Sequence, residues 1–462
     1  MISSASYVIA ALAIYAAGLY VIYRLRLYIT ASSMLLGFLL FVYGPAYLVY
    51  MLLRRPVSVV DLRISNSLNF DDVVVSLNLS IAIMYVCVIA GIEFVDRLAP
   101  RSAHALRKAI LGWNPQPLSG GRARPWSLLF AILALGLFMV WISLKEGHLA
   151  IIAGFLSVSG EEAVKTAYRQ QYGGSQVYLY NVVVASIAPM MIIWGVLSGW
   201  IQRWWPLLAV ATLLAVITVL GKVETLSKAP IALFLLQLML VAYLVLRNNI
   251  NWRVVLGSVI VTLIIFYPII RLAVPEVDQI EALSFFYYRA FDVSNQALLE
   301  YFAAFPERIP HMWGANIRPV AAIWGLQYTP SFDVVSRLWR FSGGSTTTAM
   351  FIADAWADFS YVGVIGFSIA VGVICRAIDV VLLVRGKTVT AVAVLAAAFV
   401  GIYNLMITAL PTSMLSGGLI LPPLLVVVLV EGQKLLRATT RIRFSTSAST
   451  VPSPHADVEE LF

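Results

Sequence analysis

Long apolar runs separated by short polar turns dominate this sequence. Each run has roughly 20 residues, the length that an α-helix needs to cross about 30 Å of hydrocarbon. The first run lacks a basic leader and is followed directly by another, so it predicts a first membrane helix and not a cleaved signal. Residues 354–360 are predicted to extend the ninth run. In all, the runs predict about eleven spans, at residues 5–23, 27–53, 75–95, 126–144, 178–201, 205–220, 230–246, 254–270, 361–375, 388–409 and 416–430.

Composition agrees with an all-α polytopic membrane protein. The 462 residues are 61% hydrophobic and 12% charged, whereas roughly 25% of residues are charged in an ordinary soluble domain. The two cysteines, Cys87 and Cys375, both lie in apolar runs, which excludes a disulfide framework.

Basic residues are distributed unevenly between the turns. If the loop 97–125 is cytoplasmic, alternation places the first turn, the segment after residue 375 and the C-terminus on the same side. That side then carries 18 of the 32 Lys and Arg but 7 of the 23 Asp and Glu, as the positive-inside rule requires, with Arg54 and Arg55 as exceptions on the other side. The N-terminus is therefore predicted to lie outside and the C-terminus in the cytoplasm. The basic excess faces the anionic inner leaflet, which argues against nucleic acid as a partner.

The predicted spans leave one membrane domain, 1–442, and a tail, 443–462, whose small polar and proline residues predict disorder. One exterior segment is large, at 271–360, and a smaller one lies at 145–177. The large exterior loop is expected to be partly helical. Function is expected between these two loops.

Aromatic and basic side chains in these exterior segments suit a glycan that carries phosphate. Aromatic faces stack on sugar rings, and arginine binds phosphate through two parallel hydrogen bonds. Each residue also has a simpler interpretation, as an anchor at the membrane surface or a snorkelling charge. The glycan-binding candidates are Tyr288, Trp313 and Trp339. The diphosphate-binding candidates are Arg169, Lys222, Lys228, Arg289, Arg318 and Arg340.

Three residues of the large loop are candidates for a catalytic base. Asp354 and Asp358 lie four residues apart and would share one face of a helix, which Thr347 or Thr348 could cap. The alternative is that the two aspartates simply favour the positive end of that helix. His311 is the only histidine of the loop, and imidazole is a common general base in proteins.

Several signatures do not occur in the sequence. There is no Gly-x-x-x-x-Gly-Lys-Ser/Thr loop, which excludes an ATP-driven pump of the usual type, and no His-Glu-x-x-His motif. No Asp-x-Asp motif occurs either, so neither a metal nor another cofactor is expected.

The segment 346–364, TTTAMFIADAWADFSYVGV, resembles the end of the large periplasmic loop in O-antigen polymerases, the Wzy-type oligosaccharide repeat unit polymerases. In that family an acidic residue and a small-aromatic run lead through Phe-Gly-x-x-Gly into the next span, and Ser360 replaces the first of those glycines here. The Tyr287-Tyr288-Arg289 run, the segment 302–306 with Gly314, and Gly221-Lys222 before a span also look like that family.

This resemblance implies a metal-independent glycosyltransferase of the C superfamily architecture in the bacterial inner membrane. Its substrates would be undecaprenyl-diphosphate-linked glycans, as donor and as acceptor, among the membrane lipids, and a chain-length regulator would be a further partner. The product would be O-antigen or exopolysaccharide. Asp354 is favoured as the base, with His311 second and Asp358 as the residue that tunes or orients it. Two alternatives stay open: an O-antigen ligase, and a flippase or other transporter of lipid-linked oligosaccharides.

Overall fold

The computed structural model describes residues 2–53, 69–114, 116–120, 125–148, 178–223, 229–249, 287–340 and 349–429, with a few single helical positions between them. The predicted eighth span at 254–270, the exceptions Arg54 and Arg55, and the tail 443–462 lie outside the described residues, apart from single helical positions at 257, 260 and 264.

The regular elements of the described residues are helices. In chain order they are α1 (Ile2–Leu19, continued by a π-helical turn, Tyr20–Arg24), α2 (Ala31–Tyr43), α3 (Pro45–Leu53), α4 (Phe70–Leu98), α5 (Pro100–Leu111), α6 (Pro125–Lys145), α7 (Tyr178–Val182), α8 (Ala188–Gln202), α9 (Trp205–Val223), α10 (Ala229–Leu246), α11 (Val293–Ala304), α12 (Arg318–Trp324), α13 (Ser331–Arg340), α14 (Phe351–Leu382), α15 (Val389–Leu405), α16 (Leu410–Met414) and α17 (421–429).

Seven stretches of the described chain are long and apolar enough to cross a membrane, and they coincide with the first six predicted spans and the ninth. They are Ser4–Arg24, Ala31–Leu52, Phe70–Leu98, Pro125–Lys145, Leu179–Gln202, Trp205–Val223 and Phe351–Arg385. Two more predicted spans are shorter apolar helices, Pro230–Leu246 and Val389–Leu405, and the last is the helix 421–429. The chain is thus an all-α membrane protein, while the total of eleven spans stays a prediction.

Two of the spans contain a break in their helical backbone. Between α2 and α3, Gly44 adopts φ −95° and ψ −117°, because Pro45 disfavours helical geometry in the residue before it. Within α14 the break lies at Phe359 and Ser360, where Ser360 has φ 55° and ψ −145°. The predicted extension of the ninth span through residues 354–360 is confirmed, with this break at its end.

The start of α14 differs from the prediction. Met350 occupies the N-cap position and makes no side-chain capping bond, so the expected cap by Thr347 or Thr348 is wrong. Those threonines lie outside the described residues, and the helix begins three residues beyond the nearer of them.

The centre of the bundle is a close contact between α4 and α14, at which glycines of both helices face each other's backbone. A Cβ atom on Gly91 would lie 3.1 Å from the Val373 nitrogen, and one on Gly372 would lie 3.1 Å from the Val88 carbonyl carbon. Small residues allow two membrane helices to approach this closely. α1 packs beside α4, and α8 packs against α9.

Charged side chains are gathered at one end of the bundle, which we call the basic end. Arg24 at the end of α1 donates from Nε to Glu93 Oε1 at 2.8 Å. Arg376 in α14 binds Asp96 through two hydrogen bonds of 2.7 and 2.8 Å. Asp379 accepts hydrogen bonds from the Ala31 N–H at 2.7 Å and the Ser32 hydroxyl at 2.6 Å.

Other segments that were predicted to share a side of the membrane meet at the same end. The Trp113 indole N–H donates to the Leu244 carbonyl at 3.0 Å. The Ser119 N–H donates to the Lys387 carbonyl at 3.1 Å. The structure therefore brings together the turns that alternation assigned to one side.

Candidate active site

The opposite end of the bundle, which we call the carboxylate end, carries the N-terminal part of α14. A loop, 311–317, lies against that helix. The Met312 N–H donates to the Ala357 carbonyl at 2.9 Å, and the Trp313 N–H donates to the Asp358 carbonyl at 3.0 Å. In an uninterrupted helix those carbonyls accept from residues four positions later. The break at Ser360 makes them available to the loop.

Asp358 is fixed by the same loop. Its Oδ1 accepts the N–H of Gly314 at 3.0 Å and that of Asn316 at 3.4 Å. The residue is fully buried, and within the described part of the chain its Oδ2 has no hydrogen-bond partner. Asp358 therefore anchors the loop on one side and leaves one carboxylate oxygen unpaired.

Asp354 lies one turn before Asp358 and contacts the loop through side chains. Its Oδ1 accepts hydrogen bonds from the Asn316 amide at 3.0 Å and from the Ser331 hydroxyl. The Ser331 N–H in turn donates to Asn316 Oδ1 at 2.9 Å, and Tyr301 contacts the Ser331 hydroxyl at 3.3 Å. Both described bonds use Oδ1, so Oδ2 is the atom of Asp354 that is available to a ligand.

The shared helical face predicted for Asp354 and Asp358 is confirmed, because Asn316 contacts both carboxylates. His311 does not join them. Its ring lies edge-on to Trp356, with centroids 5.6 Å apart, and Trp356 points to the opposite side of α14 because each helical residue turns by about 100°. The structure thus separates the two kinds of candidate base.

Asn316 connects the two carboxylates to Ser331, and its removal is a test of the arrangement. We expect Asn316→Ala to lose the bonds to Asp354 and Ser331 and to destabilise the protein by about 1 to 3 kcal/mol, because the buried Asp354 carboxylate loses a donor and the Ser331 N–H loses its acceptor. Thermal unfolding of the purified protein measures this. Asn114→Ala is the matched control, since that asparagine also bonds a backbone group but lies at the basic end. Equal shifts in both variants would contradict a special role for Asn316.

The segment 313–328, which includes residues bonded to both carboxylates, also carries exposed aromatic and basic groups, and we call this segment the mouth of the site. The Arg318 guanidinium lies 4.7 Å from the centre of the Tyr328 ring, two residues beyond Asn316, and both side chains are exposed. Trp313 is 62% exposed and has φ 50°. Trp324 is 56% exposed. The segment that bonds both carboxylates therefore also carries an exposed cation and several exposed rings.

The other predicted diphosphate ligands are not gathered at this mouth in the described part of the chain. Arg289 lies in the π-helical turn Tyr288–Asp292 ahead of α11, about 18 Å along the helix from Tyr301. Lys222 is buried at the end of α9, with Nζ 5.7 Å from the Phe234 ring centre. Arg169 and Lys228, like the side chain of Arg340, lie outside the described residues.

The predicted glycan-binding aromatics differ in exposure. Trp313 is exposed, and Tyr288 is half-buried in the turn before α11. Trp339 is 7% exposed, and its indole N–H donates to the Glu300 carbonyl at 3.0 Å. The expectation that Trp339 stacks on a sugar is therefore wrong, because its ring is covered by the protein.

Sequence reasoning missed Asn316 and Ser331. Asn316 lies two residues after Gly314 in a loop, and Ser331 follows a proline at a helix start. Both patterns are typical of turns and caps, so neither distinguishes a site residue. Only their hydrogen bonds to Asp354 identify them.

This arrangement is suited to accepting a proton. A carboxylate held by two donors on one oxygen keeps its orientation, and the second oxygen can act as a general base towards a hydroxyl group. The neighbouring Arg318 and the exposed rings suit a ligand with both anionic and sugar-like parts.

Comparisons of the chain with protein-family models, with curated proteins and with solved structures find no match. The residues of the site are therefore the basis for assigning its chemistry.

Proposed function

We propose that this protein is a membrane-embedded glycosyltransferase that polymerises oligosaccharide repeat units carried on undecaprenyl diphosphate. The single observation that carries the proposal is the buried pair Asp354 and Asp358, oriented by Asn316 at the mouth of a membrane span. The resemblance of segment 346–364 to O-antigen polymerases supports the same assignment.

In the proposed reaction, a sugar hydroxyl of the acceptor lipid attacks the anomeric carbon of the growing donor chain. Asp354 Oδ2 takes the hydroxyl proton as the new glycosidic bond forms. The bond from the anomeric carbon to the diphosphate oxygen breaks, and its electron pair leaves with undecaprenyl diphosphate. Asp358 positions the loop that holds Asn316, and so acts on Asp354 indirectly.

The leaving diphosphate gains negative charge, which a nearby cation stabilises. Arg318 is the described cation best placed for this role, because it is exposed and follows Asn316 by two residues. Trp313 and Trp324 offer open rings for the glycan. The substrates are large and extended, so Arg289 and Tyr288 on the turn before α11 are proposed as more distant contacts.

Replacing Arg318 tests the leaving-group role. We expect Arg318→Ala to slow polymerisation roughly tenfold to more than a hundredfold, since one charge-assisted hydrogen bond contributes about 1.5 to 3 kcal/mol. Arg318→Lys should recover only part, because lysine lacks the planar fork of arginine. The rate of polymer formation from lipid-linked repeat units measures the effect.

Arg308→Ala is the matched control for Arg318, since Arg308 is also exposed in the same loop region. That variant should polymerise normally. Normal polymerisation by Arg318→Ala at matched expression would remove Arg318 from the proposed site.

The proposed reaction requires the carboxylate end to be periplasmic in the bacterial inner membrane. We therefore expect reporters fused after Trp113, Arg253 and Arg443 to be cytoplasmic, and reporters fused after Tyr172 and Gly325 to be exterior. The basic end then faces the inner leaflet, in agreement with the positive-inside rule. A cytoplasmic reporter after Gly325 would contradict the proposed reaction, because its substrates are outside.

The glycan profile of cells that lack the protein tests the function itself. A polymerase is indicated if single repeat units replace the long polymer. Polymer that is still made but not attached to the lipid A core would indicate a ligase. Lipid-linked units that accumulate in the cytoplasm would indicate a flippase, and either of these two results would overturn the proposal.

A further inference from the structure

A cavity of about 420 Å³ lies at the basic end, remote from the carboxylate pair. Asp379 at this end follows the break at Ser360 by 19 positions of α14, which is about 28 Å of helix, whereas Asp354 and Asp358 lie before the break. Three parts of the fold form the cavity: the turn after α1, the helix α5, and Arg376 of α14. Its lining residues are Arg24, Leu25, Arg26, Tyr28, Thr30, His104, Leu106, Arg107, Lys108, Ile110, Leu111 and Arg376.

The basic groups of this cavity are only partly neutralised. Arg24 pairs with Glu93 and Asp96, and Arg376 pairs with Asp96 at 2.7 Å. The remaining three cations of the lining have no carboxylate within ion-pair distance in the described part of the chain. These are Arg26, Arg107 and Lys108. The cavity is therefore built for an anion.

The walls of the cavity are held in place by contacts that do not involve these three cations. α5 is amphipathic, and its buried Leu106 and Ile110 fix its orientation against the bundle. The turn after α1 is bound by the Ile29 N–H, which donates to the Asn248 carbonyl at 2.9 Å. The cations are thus presented by a preformed frame.

The rim of the cavity is apolar and open. Leu111, which lines the cavity, is 56% exposed. Exposed leucines beside a basic helix face are typical of the boundary between lipid head groups and acyl chains. The volume also lies in the range of about 300 to 1,000 Å³ that is usual for small-molecule sites.

We propose that this cavity binds a phosphate group, and that its source is the head group of an anionic phospholipid. Basic pockets between membrane helices at the inner surface bind lipid phosphates in this way. Arg107 and Lys108 would contact the phosphate from α5, Arg26 would contact it from the turn after α1, and Leu111 would lie beside the acyl chains. This site is independent of the proposed glycosyltransferase reaction.

The test is a lipid titration of the purified full-length protein in a neutral detergent, followed by native mass spectrometry. Dioleoylphosphatidylglycerol, dioleoylphosphatidylcholine and inorganic phosphate are the three probes. We expect phosphatidylglycerol to bind with one-to-one stoichiometry and more tightly than phosphatidylcholine. The double variant Arg107→Gln/Lys108→Gln should bind it about 25-fold more weakly, at roughly fivefold for each cation.

Arg97→Gln/Arg101→Gln is the matched control, because it removes two exposed charges from the same region but none from the lining. It should change phosphatidylglycerol binding less than twofold. Arg26→Gln, on a different wall, should weaken binding about fivefold, which checks the site without altering α5.

The two sources of phosphate give different results. Binding of inorganic phosphate but not phosphatidylglycerol, lost in Arg107→Gln/Lys108→Gln, would keep the phosphate site and overturn the lipid as its source. Equal weakening in the test and control double variants, or none in either, would overturn the site and leave only general surface charge.

Discussion

Asp354→Asn should abolish polymer formation and leave the protein folded. Asparagine keeps the size of the side chain and an oxygen that can accept from Asn316 and Ser331, but it cannot take a proton from the acceptor hydroxyl. General bases typically contribute about 10²- to 10⁴-fold to a rate, so the rate of polymer formation should fall by that factor. Polymer length and amount from lipid-linked repeat units are the measurement, with thermal unfolding as the check on folding.

Asp358→Asn is the matched control for that result. It makes the same change four residues away, at a carboxylate that is fully buried and bonded to backbone N–H groups of the loop. We expect a smaller loss of rate, because Asp358 positions the loop and does not contact the substrate. Full activity of Asp354→Asn would reduce Asp354 to a charge at the helix start. Loss of activity in His311→Gln would then make the histidine the preferred base.

Asp96→Ala should be the most destabilising change at the basic end. Asp96 and Arg376 are both buried, with each side chain 7% exposed. The Asp96 carboxylate accepts two hydrogen bonds from the Arg376 guanidinium. Removing the carboxylate leaves a buried guanidinium without its main partner, which typically costs about 3 to 5 kcal/mol. Unfolding of the purified protein in mixed micelles would show this loss.

A double variant distinguishes the net contribution of the ion pair to stability from the cost of leaving one buried charge unpaired. Asp96→Ala/Arg376→Met removes both charges of the pair and should recover part of the lost stability, because the buried guanidinium is gone. Recovery is incomplete, since the buried Asp379 also loses Arg376, which lies 3.8 Å from it. Asp333→Ala is the surface control, since its ion pair with Arg337 is exposed and should contribute about 0 to 1 kcal/mol. Similar losses for Asp96→Ala and Asp333→Ala would contradict the buried network.

Neither result depends on the other. Asp354→Asn changes the chemistry at the carboxylate end without breaking a buried ion pair, whereas Asp96→Ala changes stability at the opposite end. If Asp96→Ala lowered activity at full stability, the two ends would be coupled in a way that the described contacts do not explain.

The hydrophobic pattern was sufficient to predict an all-α membrane protein, because the thickness of the hydrocarbon imposes a minimum length on each apolar run. That requirement is local, and seven of the predicted spans are therefore found as long apolar helices. Local information also predicts which turns share one end of the bundle, since charge and alternation constrain every turn. These turns include Arg24, the segment after residue 97 and Arg376.

The arrangement of the carboxylate end depended on contacts that are distant in the sequence. The spacing of Asp354 and Asp358 predicts a shared helical face, but their partners Asn316 and Ser331 come from 38 and 23 positions earlier. No local pattern specifies which loop residue reaches a carboxylate. The role of the break at Ser360 was likewise not predictable from local sequence. The carbonyls that it frees bind loop residues that are distant in the sequence.

Tertiary structure alone also decided which candidate side chains were available to a ligand. Trp313 and Trp339 are the same residue type in the same loop, yet one is open and the other is covered and bonded to the Glu300 carbonyl. Residue type fixes what a side chain can do, and the hydrophobic run fixes whether its helix enters the membrane. Burial and hydrogen-bond partners come from the packing of distant segments, and for this reason the basic cavity and the Asn316 bridge became visible only in the folded chain.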